Sequence, residues 1–286
     1  MTKGERPSPG TGKGARECVD LVPVETGPAP AARAGLFLGR LDPAALRAEL
    51  EEASLLEVLA GRGYPLVSVR ASLEGGVHRL RLLAPGVAPP LLDLRASESS
   101  FLLAAPPRLR LRLEVFSFLV VRGLVLQDPR RDFTAQRPRL PGQEHPGLGA
   151  LGRVLDRLLR WAEDWGKDGL VAIPPSYHAA VMLDRGFGFL SGERQGRFQA
   201  LRRDAGARPL ADASWAVAEG RVVDGAEARF RWEPAEIAAP LAGDLRCHLA
   251  SPDYRDAAAA VRDRASYRFS PPQASQGQSP RSSRKL

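Results

Sequence analysis

Between Leu151 and Trp165 the apolar residues Leu151, Val154, Leu155, Leu158, Leu159, Ala162 and Trp165 recur at steps of three and four. That spacing gathers them on one face of a helix. Arg153, Asp156, Arg157, Arg160, Glu163 and Asp164 fall on the other side, and Gly166 ends the pattern. Upstream, Asp42-Pro43 supplies N-cap and first-turn chemistry for a helix carrying Leu46, Leu50, Leu55, Leu56 and Leu59 and stopping at Gly61 and Gly63. Strand-like runs follow at 65–71, 77–83 and 91–95, and the Glu74-Gly75-Gly76 link between the first two predicts a hairpin.

The run from Arg108 to Gln127 fits two patterns. Arg108–Leu113 alternates with period two, whereas Leu109, Leu113, Phe116 and Val120 trace a helical stripe. We favour a helix ending near Gly123 and a buried strand Leu124–Gln127, by parallel with the later order of helix, Gly169, apolar strand and Pro174. Such alternation predicts an α/β fold with a mixed sheet. Past Leu190 the pattern weakens: 213–218, 220–223 and 228–232 read as strands and 254–264 as a helix. The expected organisation is a disordered arm over 1–35, a main α/β domain over 36–205, a smaller α+β extension over 206–269 and a disordered tail over 270–286.

Composition narrows the function classes. The formal charge is +8 over 286 residues, but the first 35 residues hold +1 and the last 17 hold +3, leaving an ordinary +4 on the body. Only Lys3, Lys13, Lys167 and Lys285 are lysines, which reads as a coding bias toward arginine and argues against nucleic acid as a partner. Cys18 and Cys247 cannot build a disulfide framework, no secretory h-region opens the chain, and Val115–Leu126 is interrupted by Arg122 and too short to span a bilayer. A cytoplasmic protein without a membrane partner is expected.

The chemistry concentrates between Gln143 and Pro175. Gly147 and Gly149 form a Gly-x-Gly turn opening the best helix, and a helix mouth presents unpaired N–H groups with the positive dipole end behind them. No Walker lysine follows, and no HxH, HExxH or CxxC spacing is present, so nucleotide hydrolysis and a metal centre are not expected. His145 and His178 are candidate bases, with bracing of the loop or capping of the next helix as the alternatives. Tyr177 is a candidate acid or a packed aromatic; Arg153 reaches toward a phosphate or toward solvent. The long Pro- and Arg-rich connection from Leu126 to Gly149 carries Asp128 and Asp132, suited to a cationic amine, and Arg130, Arg131, Arg137 and Arg139, suited to an anion.

The segment HPGLGALGRVL, the strand GLVAI and then YHAAVMLDRGFGF together resemble the second half of the GCN5-related N-acetyltransferase (GNAT) fold. Gly147 and Gly149 match the small positions of the coenzyme A loop, and Ala180 with Gly186-Phe187 match the later signature. Glu144 stands where the family has Gln or Arg, His178 where it has Asn, and Met182 or Leu183 where it has Tyr. The resemblance implies a GNAT-like sheet, acetyl-coenzyme A or another acyl-coenzyme A as cosubstrate, and a small-molecule or peptide amine as acceptor. It implies cofactor contacts from Leu126, Gln127, Gln143, His145, Gly147, Leu148, Gly149, Ala150, Gly152 and Arg153, and catalytic roles for His178 and Tyr177. The departures leave a second expectation open: a module that binds coenzyme A or another anion, or a protein partner, without turnover.

Overall fold

The structure, a computed structural model, describes residues 22–24, 35–103 and 114–271. In chain order the elements are β1 (Val22–Val24), α1 (Pro43–Glu52), α2 (Leu55–Gly61), β2 (Ser68–Glu74), β3 (Val77–Leu83), β4 (Leu92–Leu103) and β5 (Glu114–Leu126). Then come α3 (Leu151–Asp164), β6 (Gly169–Ala172), α4 (Tyr177–Leu183), β7 (Gly188–Phe189), α5 (Gly192–Ala205) and α6 (Leu210–Ala218). The last are β8 (Val222–Asp224), β9 (Ile237–Pro240), α7 (Gly243–Leu249), α8 (Pro252–Arg264) and β10 (Tyr267–Phe269). One sheet runs β2-β3-β4-β5-β6-β9-β7, with β1 added antiparallel along β4; β10 and β8 form a second, two-stranded sheet. Every pairing in the large sheet is antiparallel except β5 with β6.

Several local signals act as expected. The Asp42 carboxylate accepts from the Ala45 N–H at 2.8 Å and caps α1, and Gly75 and Gly76 both adopt positive φ in the hairpin turn between β2 and β3. The single early helix is instead two, broken at Ser54, whose φ is +52°. α3 forms where its stripe predicts.

Other expectations are corrected. Glu114–Leu126 is a strand, not the end of a helix; residues 108–113 lie outside the described residues. Phe116, Phe118 and Val120 join Phe101, Val171 and Ala238 on one face of the sheet, while Leu119 and Val121 join the main core on the other. A strand buried on both faces reads as a continuous apolar run, which periodicity cannot separate from a helix. Leu210–Ala218 is a helix rather than a strand: Ala213, Ala216 and Val217 are buried at helical spacing, and the run is rich in alanine. Residues 228–232 hold only an isolated bridge between Arg229 and Val223. Val22–Val24, within the arm expected to be disordered, is a strand. Arg157, placed on the polar side of α3, is buried and bonded to Glu49 at 2.7 Å and Glu52 at 3.2 Å.

The boundary near residue 205 runs through the sheet. β9 lies between β6 and β7, so the chain's last third supplies an interior strand of the main sheet. α5 then seats α8 through glycine. A Cβ at Gly192 would stand 2.6 Å from the Tyr254 carbonyl oxygen, and one at Gly196 would strike the Ala258 carbonyl and lie 2.9 Å from the Val261 Cβ. Backbone on both sides leaves nothing free to yield, so Gly196→Ala is expected to destabilise the fold by about 1–3 kcal/mol. The check is the urea midpoint, and an unchanged midpoint would contradict the close approach.

Candidate functional site

A helix joining two parallel strands starts at the carboxyl end of the first. The 127–150 connection, the mouth of α3 and the 173–176 turn before α4 therefore share one end of the sheet, where open α/β sheets take ligands. At this end the two strands part. β5 pairs β6 from Phe118 opposite Gly169 to Val121 opposite Ala172; β6 then stops, while β5 continues to Leu126. A bulge marks the point of departure. Arg95 faces Gly123 and Ala96 faces Val121, so Arg122 is an extra residue on β5. Bulges twist and bend a strand, and this one sits where β5 leaves its neighbour. Gly123–Leu126 thus have no strand partner on the β6 side among the described residues.

The mouth of α3 opens beside that edge. Ala150 stands at the N-cap position, which has no side-chain cap, and Val154 donates to Ala150 at 3.2 Å. The N–H groups of Leu151, Gly152 and Arg153 meet no acceptor among the described residues. The glycines here are not equivalent. Gly149 has a φ of +70° and needs its conformational freedom. Gly147 has only an ordinary neighbour, the Leu126 carbonyl oxygen 3.7 Å from where a Cβ would stand, and Gly152 faces open space. A glycine inside a helix costs about 1 kcal/mol relative to alanine. At Gly152 no contact within the chain requires it.

Beneath the loop lies a group that sequence reasoning assigned differently. Asp128 is fully buried; it accepts from the Tyr64 hydroxyl at 2.6 Å and pairs with Arg62 at 3.2 Å and, more distantly, with Arg131 at 3.8 Å. Its backbone N–H donates to the Pro146 carbonyl at 2.8 Å, so one residue ties the start of the long connection to its end. Asp128 is therefore an internal bracket and not an exposed carboxylate awaiting an amine. The Arg62 guanidinium, anchored through Nη1, points its Nη2 at Gly149, 3.3 Å from where a Cβ would be. Arginine can only donate hydrogen bonds, so it leaves the α3 amides uncapped and adds positive charge beside them. Arg62 was not singled out by its sequence context, because its partner lies 66 residues away.

The remaining expected residues divide into two groups. Leu126 ends β5 and Gln127 follows it; the Gln127 N–H donates to Leu91 and its side-chain amide to Pro90 at 2.9 Å, which turns that side chain toward the scaffold. Gln143 folds back on its own turn and accepts from Leu140 at 3.1 Å. His145 is half-buried in the connection, Leu148 and Ala150 are buried, and Gly152 and Arg153 are exposed. Tyr177 and His178 open α4. Tyr177 is buried with its ring edge-on to Phe198 and Trp232, and burial raises its hydroxyl above the ordinary tyrosine value. His178 sits 3.2 Å from the Ser176 hydroxyl, and burial lowers it below the ordinary histidine value, which favours the uncharged ring. The structure thus brings the glycine turn, Arg62 and the β5 edge together, leaves Arg153 exposed in the first turn of α3, and sets Tyr177 within an aromatic cluster.

The comparisons with known proteins do not extend this picture: no family model and no curated protein matches the chain. No helix among the described residues is long and apolar enough to cross a membrane.

Removing the Asp128 carboxylate leaves Arg62 and a buried hydroxyl without their acceptor. Asp128→Ala is expected to destabilise by about 3 kcal/mol, and Tyr64→Phe by about 1 kcal/mol, in chemical denaturation. Burial and, after it, the bond to Asp128 raise the Tyr64 hydroxyl above its ordinary value of 10.0. A raised group favours the fold while it keeps its proton. The stability from Tyr64 is therefore intact below about pH 10 and lost as pH climbs through the raised value. Tyr64→Phe should flatten that alkaline decline relative to wild type.

Proposed function

We propose that the chain is an acyl-coenzyme A-dependent N-acyltransferase, in its simplest form an N-acetyltransferase, of divergent GNAT type, acting in the cytoplasm on a small-molecule or peptide amine. The observation that carries this reading is a coincidence at one end of the sheet: the unpartnered amides of α3 open beside the edge where β5 leaves β6. The amides of Leu151, Gly152 and Arg153 suit a diphosphate, with Arg62 and Arg153 adding charge. The bare edge Gly123–Leu126 suits an extended arm that pairs with main chain. Acyl-coenzyme A supplies a thioester already activated toward amines, so orientation accounts for much of the rate. Neutral His178 takes the proton as the amine nitrogen bonds to the acyl carbon. The carbon–sulfur bond then breaks, and the thiolate leaves with a proton from an acid or from water.

One observation favours a second reading, binding of coenzyme A or a similar anion without turnover. Tyr177 is locked among aromatic rings, and Met182 or Leu183 stands where the family has its tyrosine.

Four measurements test these readings. Acetyl-coenzyme A should raise the melting midpoint of the full chain. Gly152→Leu should keep or increase thermal stability in the free protein, yet weaken acetyl-coenzyme A at least about tenfold, because its side chain enters the open space at the mouth. Full affinity in that variant would remove α3 as the seat. Free-thiol release with a panel of amines then decides between turnover and binding alone. If His178 is the base, kcat/KM should fall on the acid side with a midpoint below the ordinary histidine value of 6.5, and His178→Gln should abolish that limb.

A further inference from the structure

Far along the chain from the glycine turn, α5, the end of α8 and the 225–236 segment surround an open cleft of about 820 Å³. We infer that this cleft binds an organic phosphate of the nucleotide class. Its size falls in the range of sites for organic ligands, roughly 300–1,000 Å³, and far exceeds what one inorganic oxoanion fills.

Charge supports an anion. Arg197, Arg229, Arg231 and Arg264 line the cleft from three separate elements, and none makes a side-chain hydrogen bond or ion pair among the described residues. A fifth arginine, Arg194, lies 3.6 Å from Glu233, a distant and exposed pair. The other acid of the lining, Asp224, is turned onto its own loop, where Oδ1 accepts from the Ala226 and Ala228 amides at 2.9 and 3.0 Å. The lining thus sets five arginines against two carboxylates, an excess of positive charge around one hollow. Like charges so gathered repel one another, and a ligand bearing several phosphate oxygens relieves this through forked hydrogen bonds.

Shape adds the second half of the ligand. The same walls carry Phe230 and Tyr267, edge-on at 5.1 Å, and Trp232, which is only half-buried although its ring meets Phe198. Aromatic surface beside guanidinium groups accommodates a flat ring as well as its phosphates. The Trp232 indole donates to the Pro174 carbonyl at 3.0 Å, which fixes this wall against the main sheet.

The test uses ATP and isothermal titration calorimetry on the full chain carrying Gly152→Leu, whose side chain obstructs the mouth of α3. ATP should bind, weaken as salt is added, and bind at least about tenfold more tightly than sodium pyrophosphate, which lacks the ring. Adding Arg229→Ala and Arg231→Ala should cost at least about tenfold in ATP affinity without lowering the melting midpoint, since both side chains are exposed and unpaired and their removal relieves repulsion. Four outcomes would overturn the assignment: no ATP binding, equal affinity with both arginines removed, pyrophosphate binding as tightly as ATP, or an oligothymidylate binding more tightly than ATP. The last would make the cleft a nucleic-acid surface. None of these outcomes bears on acetyl-coenzyme A at α3, which the earlier measurements address in the protein with Gly152 intact.

Discussion

A carboxylate with none of its surface in water persists in a fold only where its oxygens are satisfied, and Asp128 meets that condition through Tyr64 and Arg62. Much of the candidate site follows from this one requirement. Tyr64 and Arg62 leave the end of α2, so the carboxylate fastens the helical layer to the carboxyl end of β5. The Asp128 amide holds Pro146, and so brings the long connection back to the mouth of α3. The Arg62 guanidinium, held by one nitrogen, carries its charge to Gly149 with the other. A cation placed beside the positive end of a helix is unfavourable in the free protein, and an incoming anion removes that penalty. Under the proposed function, stability at Asp128 and anion affinity at α3 are in this way linked through a single side chain.

The rest of the scaffold acts on the same two loops from the opposite direction. Trp215 in α6 donates its indole N–H to the Arg139 carbonyl at 2.9 Å, and Trp232 does the same to Pro174. Each indole satisfies a carbonyl of one loop, the first in the connection after β5, the second in the turn after β6. β9 meanwhile supplies the neighbour that β6 needs on its far side, with the Leu241 and Ala242 amides donating to the Asp168 carbonyl at 2.8 and 2.9 Å. The last third of the chain is structural support for the site as well as the wall of a second cleft.

Local chemistry was readable where a single element contained all its causes. The stripe of α3, the Asp42 cap and the Gly75-Gly76 turn depend on neighbours within a few residues, and each formed as its pattern required. β5 and α6 were misread for opposite reasons. β5 is apolar on both faces because sheet neighbours and helices cover both sides, which erases its period. α6 carries an alternation at Ala213, Trp215 and Val217 that imitates a strand, although its alanine content and buried spacing belong to a helix. Arg157 was assigned to solvent because its counter-ions, Glu49 and Glu52, lie more than a hundred residues upstream.

The sequence by itself determined the α/β class, the amphipathic helix and the glycine turn that opens it, since backbone conformation and helix periodicity act over short range. It also placed His145 after one strand and His178 after a second, in what proves to be the opening turn of α4. Tertiary structure alone decided that those strands are parallel neighbours that separate beyond Val121, that Arg62 rather than a nearer arginine stands against Gly149, and that Asp128 is a buried bracket. Each of these depends on pairing, burial or charge between residues distant in the chain. Such interactions gain strength only once water has been excluded around them, and no local pattern records which partners folding will bring together.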